Sequence, residues 1–107
     1  MKNDVLEQVG PLQPGEIKQL VFDFRPNELE PDETIAEVVS VTVLAYFGDD
    51  PQSSSMLTGS AALLGDAVLQ NVTMRRAGVT YLVRCTVRGS SGLRHTLSAF
   101  LPCVTAA

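Results

Sequence analysis

Apolar and polar residues alternate with a period of two along most of this chain, and glycine and proline cut the pattern into short pieces. No stretch shows a sustained period near 3.6, so the pattern predicts strands and little helix. Residues 16–24 place Leu20, Phe22 and Phe24 on one side and Gln19, Val21 and Asp23 on the other. Residues 34–47 are rich in β-branched side chains. Ile35, Val39, Val41 and Val43 share one parity there, with Glu37 the exception. A stretch that long is expected to bend, carry a bulge or split in two. Residues 56–64 read as a weaker extended segment, and residues 67–74 as a strand with Val68, Val72 and Met74 on one side. The strongest signal lies in the last third. Residues 79–88 put Tyr81, Val83, Cys85 and Val87 on one face, and Leu82, Arg84, Thr86 and Arg88 on the other. Residues 93–104 align Leu93, Leu97, Ala99, Leu101 and Cys103.

Turn chemistry fixes how some of these pieces join. Pro14-Gly15 suits the centre of a type II turn, whose second central position needs positive φ. Gly65-Asp66 marks a tight turn. Between the last two strands, a two-residue turn at Ser90-Ser91 would oppose Val87 to Arg94 and send Arg94, Thr96 and Ser98 into the core. A three-residue loop, Ser90-Ser91-Gly92, instead opposes Val87 to His95 and Cys85 to Leu97. The apolar faces then coincide, and Gly92 takes the left-handed position of a bulge. Residues 25–33 form a loop with Pro26, Pro31 and several acids. Residues 48–55 form a polar surface loop, a disordered or partner-facing tip that includes Asp49 and Asp50. Residues 1–15 are an extended N-terminal arm in which Val5, Leu6 and Val9 make an irregular edge segment, leaving residues 16–104 as one domain.

Composition narrows the function classes. At 107 residues, 45% hydrophobic and 19% charged, the chain is neither disordered nor fibrous. A net charge of -4 opposes binding to phosphate backbones or anionic membranes. No apolar run long enough for a signal sequence or a membrane span follows the start. With only two cysteines, the expected setting is a reducing cytoplasm or a particle assembled in one.

Each candidate chemistry has a plainer reading. Cys85 and Cys103 both face inward, but the register places Cys103 opposite Val79, roughly 20 Å along the strands from Cys85. A disulfide needs Cα atoms within about 7 Å, so two buried free thiols are expected. His95 is a diagonal neighbour of Cys85, and thiol and imidazole can form a nucleophile pair. No oxyanion-hole signature or orienting carboxylate accompanies them, and a packed histidine is expected. Glu28, Glu30, Asp32 and Glu33 cluster in one loop and Asp49 and Asp50 in another. Oxygen ligands of this kind bind calcium, but the EF-hand spacing is missing and solvated loops are expected. Arg75, Arg76, Arg84, Arg88 and Arg94 fall on the last strands and their turns. Nucleic acid, edge protection and an acidic protein partner are the three readings of that stripe. Net charge and an aromatic content of 6% argue against the first.

Many short strands and no helix in about 100 residues predict an all-β fold, a sandwich of about seven antiparallel strands. Tyr81, following Ala77-Gly78-Val79-Thr80, resembles the tyrosine corner of immunoglobulin-like domains. Val83 stands where such domains carry an inter-sheet cysteine. Further motifs are Pro14-Gly15-Glu16, Phe22-Asp23-Phe24 and Asp32-Glu33-Thr34-Ile35 at the front. At the rear stand Ala77-Gly78-Val79-Thr80-Tyr81-Leu82-Val83 and Ser90-Ser91-Gly92. Together they resemble tailed-phage fibre–tail adaptor proteins, small immunoglobulin-like virion proteins, from Pro14 to Cys103. Phe24 occupies the place where members tend to carry tryptophan.

The resemblance implies a non-enzymatic virion protein of tail or neck, assembled in the host bacterial cytoplasm. It implies no cofactor, and contacts with other tail proteins, with tail fibres and with copies of itself in a ring. The candidate contact residues are Val5, Leu6 and Val9 for anchoring, Asp49 and Asp50 for loop docking, and Arg84, Arg88 and Arg94 for charge complementarity. Three rivals stand beside this expectation: a capsid decoration protein of the same fold, a ligand-binding sandwich with an exposed aromatic platform, and a thiol hydrolase using Cys85 and His95. No aromatic platform is obvious in the alternation.

Overall fold

The computed structural model describes residues 13–25 and 29–104 in full, together with the backbone of Val5–Gln8. Its strands are β1 (Val5–Gln8), β2 (Ile17–Asp23), β3 (Ile35–Phe47), β4 (Leu57–Leu64), β5 (Ala67–Thr73), β6 (Thr80–Gly89) and β7 (Arg94–Pro102). A single 3-10 turn, Ser53–Met56, precedes β4. Two sheets result, one ordered β1-β7-β6-β3 and the other β2-β5-β4.

The sheets press together as a β-sandwich because their inward faces are apolar at every second position. Leu20, Phe22, Val68 and Val72 from the smaller sheet meet Tyr81, Val83, Cys85, Val87, Leu97, Ala99 and Leu101 from the larger. Each fully buried side chain of this size contributes about 1.5–3 kcal/mol of transfer free energy. One polar residue interrupts the inward face of β5. Gln70 is buried, and its Nε2 donates to the carbonyls of Asn71 (2.9 Å) and Gly59 (3.2 Å). The bond to Gly59 falls where β4 slips register between Thr58 and Ala62. The side chain thus takes the place of the missing ladder bond.

The β6–β7 hairpin has the register that its apolar parity demands. Cys85 opposes Leu97 and Val87 opposes His95. Gly92 lies at φ 92°, and Gly89 N donates to Leu93 O at 2.7 Å. The Pro14-Gly15 turn has Gly15 at φ 87° and closes through Glu16 N to Gln13 O, 3.1 Å. Cys103 N donates to Val79 O at 3.0 Å, and both cysteines are free and buried.

Four expectations need correction. The strands are not all antiparallel: β1 runs parallel to β7, because the chain enters at the edge of the larger sheet and then crosses to the smaller one. In β3, Val39 points to solvent while Val38 opposes Val87 and packs on the core. Bulges near residues 36 and 39 shift the parity twice. Leu93 precedes the first paired residue of β7 and is exposed rather than inward. Leu82 sits on the outward face yet is buried, paired between Leu44 and Phe100.

Candidate protein-interaction face

The register of β3, β6 and β7 arranges the outward side chains of the larger sheet in rows. Leu44, Leu82 and Phe100 form one row, and Thr42, Arg84 and Ser98 the next. Thr86 and Thr96 follow, their hydroxyls 2.9 Å apart, and then Glu37, Arg88 and Arg94. The face therefore runs from apolar at one end to basic at the other.

A third bulge sharpens the apolar end. The register of β3 slips between Ala45 and Phe47. Ala45 opposes inward-facing Tyr81, and Phe47 opposes Thr80, so Tyr46 and Phe47 both reach the outside. Tyr46 is 62% exposed and Phe47 69%. The rings of Tyr46 and Phe100 meet edge to face with centroids 4.8 Å apart, a contact worth about 0.5–1.5 kcal/mol. Tyr46, Phe47, Thr80 and Phe100 line a shallow groove. Exposed apolar clusters of this kind mark contact sites.

Arg84 stands next to the apolar row. It is exposed and has no ionic partner among the described residues, and the same holds for Arg94. Arg88 differs, because its Nη2 lies 2.6 Å from Glu37 Oε1. A tyrosine, leucines and an unpaired arginine side by side have the chemistry of an interface hot spot: aromatic area first, then a cation for an acidic group.

The other expected contact residues fare differently. The backbone of Val5 and Leu6 belongs to edge strand β1, while Val9 lies outside the described residues. Asp49 is exposed, and its carbonyl accepts a hydrogen bond from Arg76 Nη1 at 3.1 Å. Asp50 is no docking residue, since it is only 4% exposed. Its carboxylate accepts bonds from Arg75 Nε (2.8 Å) and the Tyr81 hydroxyl (2.8 Å). Tyr81 in turn accepts the backbone N–H of Arg76 at 2.9 Å, the upstream bond expected of a tyrosine corner. Arg75 and Arg76 therefore belong to a structural knot and not to the basic stripe. Arg75 is the main cause that holds the Asp50 carboxyl down at about 2.

The acidic loop is also more structured than solvated. Glu28 lies outside the described residues, and Glu30 and Asp32 are exposed, but Glu33 is buried. Its carboxylate accepts bonds from Ser91 Oγ and from Glu30 N (3.2 Å), and lies 3.1 Å from His95 Nε2. Arg25 ties the same loop to the β4–β5 turn through Asp66 (2.9 Å) and the Glu30 carbonyl (2.8 Å). Among the described residues no group of three or more His, Cys, Asp and Glu is placed to hold a metal ion.

Cys85 and His95 have separate surroundings. Burial pushes the Cys85 thiol up to about 12, so it is protonated at neutral pH. His95 is engaged with Glu33.

Sequence reasoning passed over Leu44, Tyr46, Phe47, Leu82 and Phe100, and with them the aromatic platform. A signal was present. Leu82 and Phe100 are large apolar residues at outward parity on two successive strands. No protein-family model, curated protein or solved structure matches the chain.

Proposed function

We propose that this chain is a bacteriophage virion structural protein that works by protein–protein contact, an adaptor joining tail fibres to the tail or neck. The observation that carries the contact role is the apolar row Leu44, Leu82 and Phe100 with exposed Tyr46 and Phe47, bordered by Arg84. The phage assignment rests on the motif resemblance between Pro14 and Cys103. The two-sheet all-β architecture supports it, and we read its strand order as immunoglobulin-like. The pairing of β7, β6 and β3 against β2, β5 and β4 corresponds to the GFC and BED strands of that fold, and the Tyr81 hydroxyl bonds upstream backbone. In the particle, copies stand in a ring and present this face to an acidic, partly apolar surface of a tail protein.

Locating the labelled chain in purified virions by electron microscopy tests the assignment. Density at the tail or neck is the expected result. Density spread over the capsid would favour a decoration protein of the same fold, and absence from particles would overturn both. The contact role is tested with Tyr46→Asp and Arg84→Glu, which leave the core intact. Each is expected to lower incorporation into particles at least about tenfold, the effect of losing one hot-spot residue. The exposed rings also fit a carbohydrate-binding reading. A glycan array on which the parent protein binds and Tyr46→Asp does not would favour that reading instead.

A further inference from the structure

The described strands leave four sheet edges: β1 and β3 on the larger sheet, β2 and β4 on the smaller. Three are interrupted. β1 slips register between Val5 and Glu7, β3 slips at three places, and β4 slips between Thr58 and Ala62. Such irregularities keep an edge from templating another chain. β2 has none, and Ile17–Asp23 matches β5 residue for residue.

The two ends of that ladder show which groups are free. Met74 N donates to Glu16 O at 2.9 Å, and Phe24 N donates to Asp66 O at 3.0 Å. With the register, these bonds turn the amides and carbonyls of even-numbered residues toward β5. Those of Ile17, Gln19, Val21 and Asp23 face the open side. The same residues carry the outward side chains, with Ile17 64% and Val21 49% exposed.

We infer that β2 pairs antiparallel with β2 of a second copy across a twofold axis, with Gln19 facing Gln19 and Ile17 facing Val21. In this register every main-chain group directed outward from Ile17, Gln19 and Val21 meets its counterpart, making about six hydrogen bonds. Two Ile–Val pairs flank the axis. They extend the outward row Val21, Leu69 and Ala62 of one copy into the other. Asp23 falls opposite Gly15, so acids do not face each other. Lys18 keeps its own Glu16, 3.8 Å away. A shift by two residues sets Ile17 against Asp23 or against Gln19 and loses the apolar pairs. The paired strands cover less than the roughly 800 Å² per partner of a standard interface, so the dimer is weak, with a dissociation constant on the order of 100 μM. A twofold contact closes on itself. It does not use the aromatic face of β3, β6 and β7, and goes beyond the adaptor reading.

Sedimentation of the isolated chain from about 10 μM to about 1 mM tests this, together with hydrogen exchange of the amides. The parent is expected to shift from monomer to dimer over that range, with exchange at Gln19 and Val21 slowing as concentration rises. The double variant Ile17→Lys, Val21→Lys changes only exposed side chains, and Gln19→Pro deletes the amide on the axis. Both are expected to weaken the dimer at least about tenfold. The double variant should keep the parent's thermal midpoint. A parent that stays monomeric at 1 mM would overturn the inference. So would a dimer that survives the double variant, or one whose slowed amides lie on β3 beside Tyr46.

Discussion

Gly89→Ala is expected to lower stability by about 3 kcal/mol, the range of a buried overpacking change combined with a broken polar cluster. Gly89 is buried at the end of β6. A Cβ there would come within 2.0 Å of Glu33 Oε2 and 2.6 Å of its Cδ. The carboxylate has no easy retreat, because Ser91, Glu30 N and His95 hold it from three directions. Displacing it leaves those donors unmatched in a half-buried pocket. The pH dependence gives a second readout. The Ser91 hydroxyl foremost, then Glu30 N and His95, hold the Glu33 carboxyl down at about 2 against an ordinary 4.5. A lowered folded pKa contributes stability that is present above the unfolded value and is lost as pH falls toward 2. Gly89→Ala should therefore flatten the acid limb between about pH 4.5 and 2 as well as lower the plateau. Urea titrations at pH 7 and pH 3 read both. A variant within about 0.5 kcal/mol of the parent at pH 7 would show that Glu33 is not clamped as described.

Tyr81→Phe is expected to cost about 2 kcal/mol, the penalty of leaving buried polar groups unmatched. The phenol ring stays in the core and only the hydroxyl is lost. Arg76 N then lacks an acceptor, and Asp50 loses one of the donors that balance its burial. The pH profile should change at both ends. Asp50 is held at about 2, by Arg75 first, with Tyr81 and Gln52 N assisting. Its contribution is present above its ordinary 3.8 and disappears as pH falls toward 2, so losing one donor moves acid unfolding to higher pH. Burial, as the main cause, raises the Tyr81 hydroxyl to about 12. A raised folded pKa contributes below the unfolded value of 10.0 and is lost as pH rises through 12. The phenylalanine variant should lack that alkaline decline. Thermal midpoints from pH 2 to pH 12 would decide the matter, and identical profiles for both proteins would refute the proposed role of the knot.

The hairpin, the inward faces of β2, β5 and β6, and the two free cysteines were legible because parity and turn chemistry agree there. Val87 meets His95 only if Gly92 takes a left-handed conformation, and it does. The buried acids were not legible. Asp50 sits among Gly, Asp, Pro and Ser, a composition that ordinarily means solvent, yet its partners Arg75 and Tyr81 lie 25 and 31 residues away. Glu33 meets Ser91 and His95 at separations of 58 and 62. Pairing at such distances leaves no local mark in the chain. The candidate contact face was half legible. Alternation sends one of two adjacent residues outward, and only the bulge after Ala45 lets Tyr46 and Phe47 both emerge. Leu82 and Phe100 carried the missing hint, since a solvated face seldom places large apolar residues side by side on two strands.

The parallel seam between β1 and β7 bears on how the molecule carries load. Tension applied at the start of β1 and the end of β7 runs along both strands in opposite senses, so the seam is sheared and its bonds must fail together. A hairpin pulled from its open end parts one bond at a time. Pulling the two ends apart in an optical trap should therefore produce a single abrupt rupture instead of gradual peeling.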